Sequence, residues 1–314
     1  MTYRKLGRTS LEPSLLGFGA SPLGNEFGEI DPTEGRRAVD YAIDHGINYF
    51  DVAPYYGRTL AEERLGAALE GKRHKIFLAT KCCRYDFDAF DFSAQRVETS
   101  IDESLRRLCT DYVDIFQVHD VEFGDRRQII EETIPAMRKV QQSGKARYIG
   151  ITGFQLKVLR DVASQTPVDS ILSYGRYNLL VDDMDEHLTP FVQEQGIGLI
   201  NASPVHLRIL TETGAPEWHL ASEDVKEAGR KIAALCRAHG VNVSDVAIRF
   251  AANHPYAATT LVGLSKWQHA EQNLRALDST TDPDLLQKIL ALVAPVKNKI
   301  WPTGRPENLD YPGR

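Results

Sequence analysis

The sequence predicts a single-domain α/β protein, a closed (β/α)8 barrel of the TIM-barrel class over residues 1–314. Three observations predict it. Short apolar runs alternate eight times with longer segments of helical period, and that rhythm calls for parallel strands joined by crossover helices. The strand runs are apolar on both faces, as strands buried on both sides are. Three successive runs also end on a polar residue able to take part in proton chemistry. Ile47-Asn48-Tyr49-Phe50 ends at Asp51, Ile76-Phe77-Leu78-Ala79-Thr80 at Lys81, and Val113-Asp114-Ile115-Phe116-Gln117-Val118 at His119. In a parallel barrel the C-terminal strand ends are where chemistry sits. A doubly wound open sheet competes, but it calls for Gly-x-Gly-x-x-Gly after the first strand, which Gly17-Phe18-Gly19-Ala20-Ser21 does not supply.

The elements follow in order. After a turn-rich start, residues 15–20 read as the first strand. Residues 33–45 read as a helix with Ala38, Val39, Ala42 and Ile43 on one face. The strand ending at Asp51, a helix near 61–69 and the strand ending at Lys81 come next. Residues 94–108 form a helix on the spacing of Val97, Ile101, Leu105 and Leu108, with Ser93 as N-cap. The strand ending at His119 precedes one helix over 127–143, stopped by Gly144. Then come a strand at 147–152, a helix at 156–163, a strand at 170–174, one helix at 184–195 and a strand at 198–202. Helices at 223–238 and 244–253, a strand at 259–262, and helices at 267–277 and 283–292 complete the chain. Loops near 120–127 and 203–222 are candidates for setting specificity. The Pro- and Gly-rich tail 297–314 is expected over the barrel mouth.

A formal charge of -6 with no basic stripe argues against a nucleic-acid partner. No apolar run is long enough to span a membrane, and the first residues lack a secretory apolar region. The four cysteines, Cys82, Cys83, Cys109 and Cys236, match neither a disulfide scaffold nor a zinc pattern. The expectation is a cytoplasmic protein with no metal, no obligate protein partner and a small-molecule substrate. Cys82 and Cys83 follow Lys81 directly and read as strand-end packing, with a redox role as the alternative.

Tyr56 lies five residues after Asp51 in Asp51-Val52-Ala53-Pro54-Tyr55-Tyr56-Gly57. A free tyrosine titrates near 10, so proton exchange near neutral pH needs a stabilised anion. The Lys81 ammonium supplies that charge, Asp51 holds the lysine, and His119 bonds the substrate oxygen or relays a proton. This set forms neither a nucleophile elbow nor a metal site. Hydride movement remains, and it needs a cofactor because no side chain stores hydride. Taken singly each residue has an ordinary reading: a loop carboxylate, a half-buried aromatic, a solvated lysine, a satisfied core histidine.

The segment from Asp51 to Gly57 with Glu63-x-x-Gly66, then Ala79-Thr80-Lys81 and the run ending at His119, resembles the aldo-keto reductase family. Tyr148-Ile149-Gly150-Ile151 and Val262-Gly263-Leu264-Ser265 extend the likeness over nearly the whole chain. The resemblance implies a (β/α)8 barrel, NAD or NADP, and a catalytic tetrad that maps onto Asp51, Tyr56, Lys81 and His119. Residues 17–24, 91–94, 119–124, 216–219 and 295–298 are similar to a subgroup of the family that oxidises the C1 hydroxyl of a free sugar, of the L-galactose or L-fucose type, to a lactone. The chain departs from that subgroup at Pro204-Val205-His206-Leu207-Arg208 and at Arg176. His206 and Arg208 read either as substrate-altering or as surface residues, and Arg176 as lying near the cofactor side. The rival within the fold is an NADPH-dependent aldehyde or ketone reductase. A cofactor-binding regulatory subunit is a further alternative, which the complete tetrad disfavours.

For the cofactor, the likeness points to Thr152, Tyr174 and Ser203 around the nicotinamide, with Ala202 at a position where members often stack an aromatic ring. Thr152 and Ser203 also read simply as caps of strand-to-loop turns. Gly263, Ser265, Lys266, His269 and Asn273 are the candidates for the pyrophosphate and adenosine end. His269 stands where NADP-selective members often place an arginine. A neutral histidine is a poorer partner for a 2′-phosphate than an arginine fork, so NAD is expected over NADP, with Lys266 as a residue that would favour NADP.

Overall fold

Eight parallel strands close into a barrel in chain order in the computed structural model of the protein, which describes residues 1–310. They are β1 (Leu16–Gly19), β2 (Tyr49–Asp51), β3 (Phe77–Cys82), β4 (Val113–Val118), β5 (Ala146–Gly153), β6 (Ser170–Tyr174), β7 (Gly198–Ala202) and β8 (Thr259–Gly263). The helices are α1 (Pro32–Asp44), α2 (Leu60–Ala68), α3 (Ala94–Arg107), α4 (Arg126–Gln128), α5 (Ile134–Gln142), α6 (Leu156–Gln165), α7 (Met184–His187), α8 (Thr189–Gln195), α9 (Glu223–Ala238), α10 (Val243–Ala252), α11 (Trp267–Asp278) and α12 (Pro283–Val293).

Local chemistry sets several helix starts. The side chains of Asp31, Ser93, Asn242 and Asp282 each accept a backbone N–H of the first turn, and Pro32 and Pro283 supply a φ already suited to a helix. Two helices expected to be continuous are interrupted, each near a proline. Before Pro135, residues Ile129–Thr133 widen into a π turn in which the Ile134 N–H reaches the Ile129 carbonyl. Pro135 has no N–H to return to the carbonyl four residues earlier, so a wider turn there forfeits little. Pro190 likewise breaks the span 184–195 into α7 and α8 at Leu188.

Inward-facing side chains fill the barrel: Tyr49, Ala79, Ile115, Leu172, Ile200 and Leu261 pack there. Leu6 and Leu11 of the N-terminal segment join them and plug the end where the strands begin. The Leu6 side chain lies so close to Gly198 that a Cβ there would come within 2.5 Å of it. One end of the barrel is therefore sealed, and the other carries the loops. Outside the strands, α1, α3, α5 and α6 bury apolar faces against the sheet in a second layer.

The tail packs across the open end on the side of β4 to β6, as far as residue 310. Trp301 stacks on Phe154 at 4.7 Å between ring centres. Asp310 accepts the Leu156 and Lys157 N–H groups at 3.0 and 2.7 Å and so caps α6. Residues 311–314 lie outside the described residues. Arg176 belongs to this anchoring rather than to a cofactor surface. It is wholly buried, bonds both oxygens of Asp183 at 2.9 and 2.6 Å, and reaches Asp310 at 2.6 Å. Replacing Arg176 by Met strands the buried Asp183 carboxylate and leaves Asp310 with only the α6 N–H groups, and the unfolding free energy is expected to fall by about 3–5 kcal/mol in a denaturant titration. A loss below about 1 kcal/mol would show that the tail is held by other contacts.

His206 also differs in position from the sequence expectation. It is neither on the surface nor open to the mouth: it is fully buried, with Nδ1 at 3.1 Å from the Asn178 amide. Burial pushes it down to about 3, so it is neutral. Arg208 is the loop residue of the pair, bonded to Thr213 Oγ1 at 3.1 Å. Cys82 and Cys83 are buried free thiols in the layer under the helices. Burial holds the Cys83 thiol well above its ordinary range, in the less reactive protonated form.

Candidate active site

Strand alternation aims the site. Asp51, Lys81 and Gln117 follow the inward-facing Tyr49, Ala79 and Ile115 by two residues on β2, β3 and β4. They therefore face the axis one layer nearer the open end, and His119 lies one step beyond Gln117's layer. Lys81 is at the centre. Its Nζ donates to Asp51 Oδ1, to the Val52 carbonyl at 2.9 Å and to the Tyr56 hydroxyl at 3.3 Å. The other Asp51 oxygen accepts from Gln117 Nε2 at 3.0 Å. Both members of the ion pair are buried, so neither is screened by water.

Tyr56 is delivered by a turn rather than a strand. Its N–H bonds the Ala53 carbonyl at 3.1 Å, and Gly57 follows with φ 61°. The turn presses on the loop after β1: a Cβ on Gly57 would lie 2.2 Å from the Gly24 carbonyl oxygen. Only glycine meets both demands, which accounts for the Tyr-Gly pair. Tyr56 and His119 meet edge to face, with ring centres 5.6 Å apart at 86°.

Burial is the largest influence on the Tyr56 phenol and raises it. The Lys81 charge and hydrogen bond oppose this, while Asp51 and Asp120 add to it, and the result is about 12. Lys81 thus offsets part of the desolvation and does not bring the resting phenol down to neutral pH. Tyr56 is a neutral O–H donor in the resting protein. Burial lowers the Lys81 ammonium, but Asp51 and the Tyr56 oxygen outweigh it and raise the ammonium above its ordinary value. His119 is held well below its ordinary value by burial, then by Lys81 and Arg84, so it is a neutral imidazole. Its Nδ1 is buried with no partner among the described residues. The cluster therefore offers one protonated phenol O–H, one fixed cation beside it and one neutral imidazole, a set suited to moving a proton on and off a single oxygen.

Further polar groups, legible only in part from the sequence, surround these. Gln117 had a signal: it lies two residues before His119 and so on the same strand face. Arg84 and Asp120 had none. Arg84 pairs with the buried Asp120 and lies over the Tyr55 ring at 4.0 Å, with Phe90 and Phe123 nearby. Asp120 itself adopts φ 56°, an uncommon conformation for a non-glycine residue. Glu122, beyond it, is also fully buried.

The other candidates fall in two places. Thr152 faces inward on β5 and its hydroxyl accepts the Asp120 N–H at 3.1 Å, which is the capping alternative. Tyr174, at the end of β6, directs its hydroxyl to Glu122 Oε1 at 3.3 Å. Ser203 turns the chain with φ 59°, and its carbonyl accepts the His206 N–H at 2.9 Å. Gly263, Ser265, Lys266, His269 and Asn273 lie together along the end of β8 and the start of α11. Asn273 is buried, whereas Gly263, Lys266 and His269 are exposed.

This second place suits a dinucleotide. At the ends of β7, β8 and β1 the inward positions carry Ala202, Gly263 and Gly19, which leave room for a flat group. A Cβ on Gly263 would press within 3.1 Å of the Pro22 ring. No side chain caps the start of α11 at Lys266, so its first N–H groups are available to an anion. The Trp267 Nε1 beside them is buried with no partner among the described residues.

A family model described as the aldo/keto reductase family matches residues 15–294. L-galactose dehydrogenase of Arabidopsis thaliana is 43% identical over 97% of this chain and 98% of its own length. D-threo-aldose 1-dehydrogenase of a Pseudomonas species is 30% identical over 82% and 87%. Among solved structures, aldo-keto reductase AKR11C1 from Bacillus halodurans in its holo form aligns with a TM-score of 0.78 at 29% identity, covering 96% of this chain and 98% of that one. The chain belongs to the aldo/keto reductase family and is an NAD(P)-dependent oxidoreductase.

Proposed function

We propose that the protein is an aldose 1-dehydrogenase that oxidises the C1 hydroxyl of a free sugar, of the L-galactose or L-fucose type, to the lactone. The observation that carries this reading is the Lys81-centred cluster, in which one ammonium touches both the Asp51 carboxylate and the Tyr56 hydroxyl. The likeness to two named sugar dehydrogenases supports the substrate class. In this reading Tyr56 exchanges the hydroxyl proton, Lys81 stabilises the phenolate, Asp51 and Gln117 fix Lys81, and neutral His119 bonds the substrate oxygen. When bound, the nicotinamide supplies the acceptor for the hydride that leaves C1. Gly263, Ser265, Lys266, His269 and Asn273 would hold the phosphate and adenosine end, and Thr152, Tyr174 and Ser203 would border the ring. The four free thiols support a reducing, cytoplasmic setting. Among the described residues no helix is long and apolar enough to cross a membrane.

The test is a panel of L-galactose, L-fucose, D-arabinose and D-glucose with NAD and NADP, followed by absorbance of the reduced cofactor. Turnover of an L-galactose-type sugar is the expected result. One observation favours carbonyl reduction instead: the resting Tyr56 is a protonated acid, ready to donate. Reduction of aldehydes or ketones with NADPH, together with inertness toward every sugar, would establish that reading.

We also infer a preference for NAD. Partial desolvation of the ring, whose outer edge stays exposed, and then the Lys266 charge lower the His269 pKa, so it approaches a 2′-phosphate as a neutral ring. The expected kcat/KM ratio favours NAD by about tenfold or more, and His269→Arg narrows it by about tenfold through a charged fork. A hundredfold preference for NADP in the wild type would overturn this.

A further inference from the structure

Glu122 sits where four segments meet. Its Oε1 accepts the Phe154 N–H at 2.9 Å, at the end of β5, and the Tyr174 hydroxyl at 3.3 Å, from the end of β6. Its main-chain carbonyl accepts the Arg305 N–H at 2.8 Å and the Asn308 side-chain amide at 2.9 Å, both from the tail. Its Oε2 is buried with no partner among the described residues. That oxygen occupies space that any residue but glycine would need at position 153, where a Cβ would come within 2.5 Å. The carboxyl is thus built into the wall of the open end.

Tyr174 is inward-facing and pairs in register with Ala202. Its ring packs on Phe154 at 5.4 Å between centres, and its hydroxyl reaches from β6 toward the segment that follows β4. The ring therefore extends across part of the barrel mouth. Its register partner on β7 is the small Ala202, and the bond to Glu122 is the hydrogen bond that ties the far end of the ring to the segment after β4. We propose that Glu122 is a positioning residue whose carboxyl holds Tyr174 across the barrel mouth, where the ring borders the nicotinamide on one side and forms one wall of the sugar pocket on the other. This rests on the sugar-dehydrogenase reading above and deepens it.

The titratable and charged groups facing the carboxyl are Asp120 on its own segment, Arg84 from the loop after β3 and Tyr174 from β6. Phe154 offers only its N–H, and the tail meets the Glu122 main chain through a backbone N–H and an amide. Burial and then Asp120 raise the carboxyl to about 8, against the Phe154 N–H and Arg84. It therefore works as a neutral acid at neutral pH, and glutamine is its isostere.

The experiment compares Glu122→Gln, Glu122→Ala, Tyr174→Phe and the double variant Glu122→Ala/Tyr174→Phe. Losing one such bond is expected to raise the sugar KM by about tenfold in the alanine and phenylalanine variants, with kcat within about threefold. The double variant should be no worse than either single one, because both remove the same tether. Glu122→Gln should stay within about twofold of wild type. A wild-type KM in folded Glu122→Ala and Tyr174→Phe, or additive effects in the double variant, overturns the proposal. The same cycle read by unfolding midpoint needs no turnover. The sign of the pH effect is also fixed: the folded protein keeps a proton that the unfolded chain releases above its ordinary value of 4.5. Wild-type stability should therefore fall relative to Glu122→Gln as pH rises from 4.5 to about 8, and level off above that. Parallel stability curves, or an additive cycle of midpoints, would sink the carboxyl's role even if the enzyme turns over no sugar. Inertness toward every sugar with a non-additive midpoint cycle would instead sink only the substrate assignment.

Discussion

Tyr56→Phe is expected to lower kcat for the proposed sugar oxidation by about 10³-fold while cofactor affinity stays within about twofold. The hydroxyl is the proposed proton-exchanging group, held 3.3 Å from Lys81, and the remaining aromatic ring still fills the turn held by Gly57 and Gly24. Loss of one hydrogen bond to Lys81 leaves that ammonium with Asp51 and the Val52 carbonyl, so the fold should survive. The pH profile carries a second test. With the phenol at about 12, the phenolate fraction grows tenfold with each pH unit below that value. Oxidation, which consumes the phenolate, should therefore quicken as pH rises from neutral into the alkaline range. Carbonyl reduction uses the protonated form and should not. Stopped-flow or steady-state rates from pH 6 to about 10 would show this slope in the wild type and its loss in Tyr56→Phe. Near-normal turnover in that variant would remove Tyr56 from the chemistry.

Lys81→Met should do two separable kinds of damage. Turnover falls by about 10³-fold, because the phenolate loses the cation that offsets its burial. Stability falls too, by about 3–5 kcal/mol, because Asp51 is left as a buried charge with only Gln117 as a side-chain partner. The double variant Lys81→Met/Asp51→Asn separates the two. Asparagine is neutral and can still accept from Gln117, so much of the lost stability should return. Activity should not, since nothing restores the positive charge beside Tyr56. Denaturant unfolding measures the first and steady-state kinetics the second. A folded double variant with wild-type turnover would show that the ammonium does not tune the phenol.

Much of the candidate site was legible before any coordinates because the signals are local. Strand alternation has a period of two, so Asp51, Lys81 and His119 at the ends of apolar runs had to face the same end of a closed barrel. Ser93 as an N-cap and the glycine after Tyr56 are local in the same way, each a demand of backbone geometry within a few residues. The helix interruptions at Ile129–Thr133 and Leu188 were readable in principle, since Pro135 and Pro190 stood inside the expected helices. The apolar period alone predicts continuous helices, and the missing proline N–H is what interrupts them.

What the chain alone determined is the rhythm of strands and helices, the face on which each chemical group emerges, and the order in which Asp51, Tyr56, Lys81 and His119 arrive at one end. Tertiary structure decided which of those groups carry charge. Burial overrode Lys81 and left Tyr56 protonated, kept His119 as the neutral imidazole, and raised Glu122 to about 8. It also assigned Arg176 to Asp183 and to Asp310, far along the chain, instead of to a cofactor. The reason is one of range. Backbone periodicity is set by neighbours in sequence, whereas desolvation and ion pairing depend on which distant segments close over a group and exclude water from it.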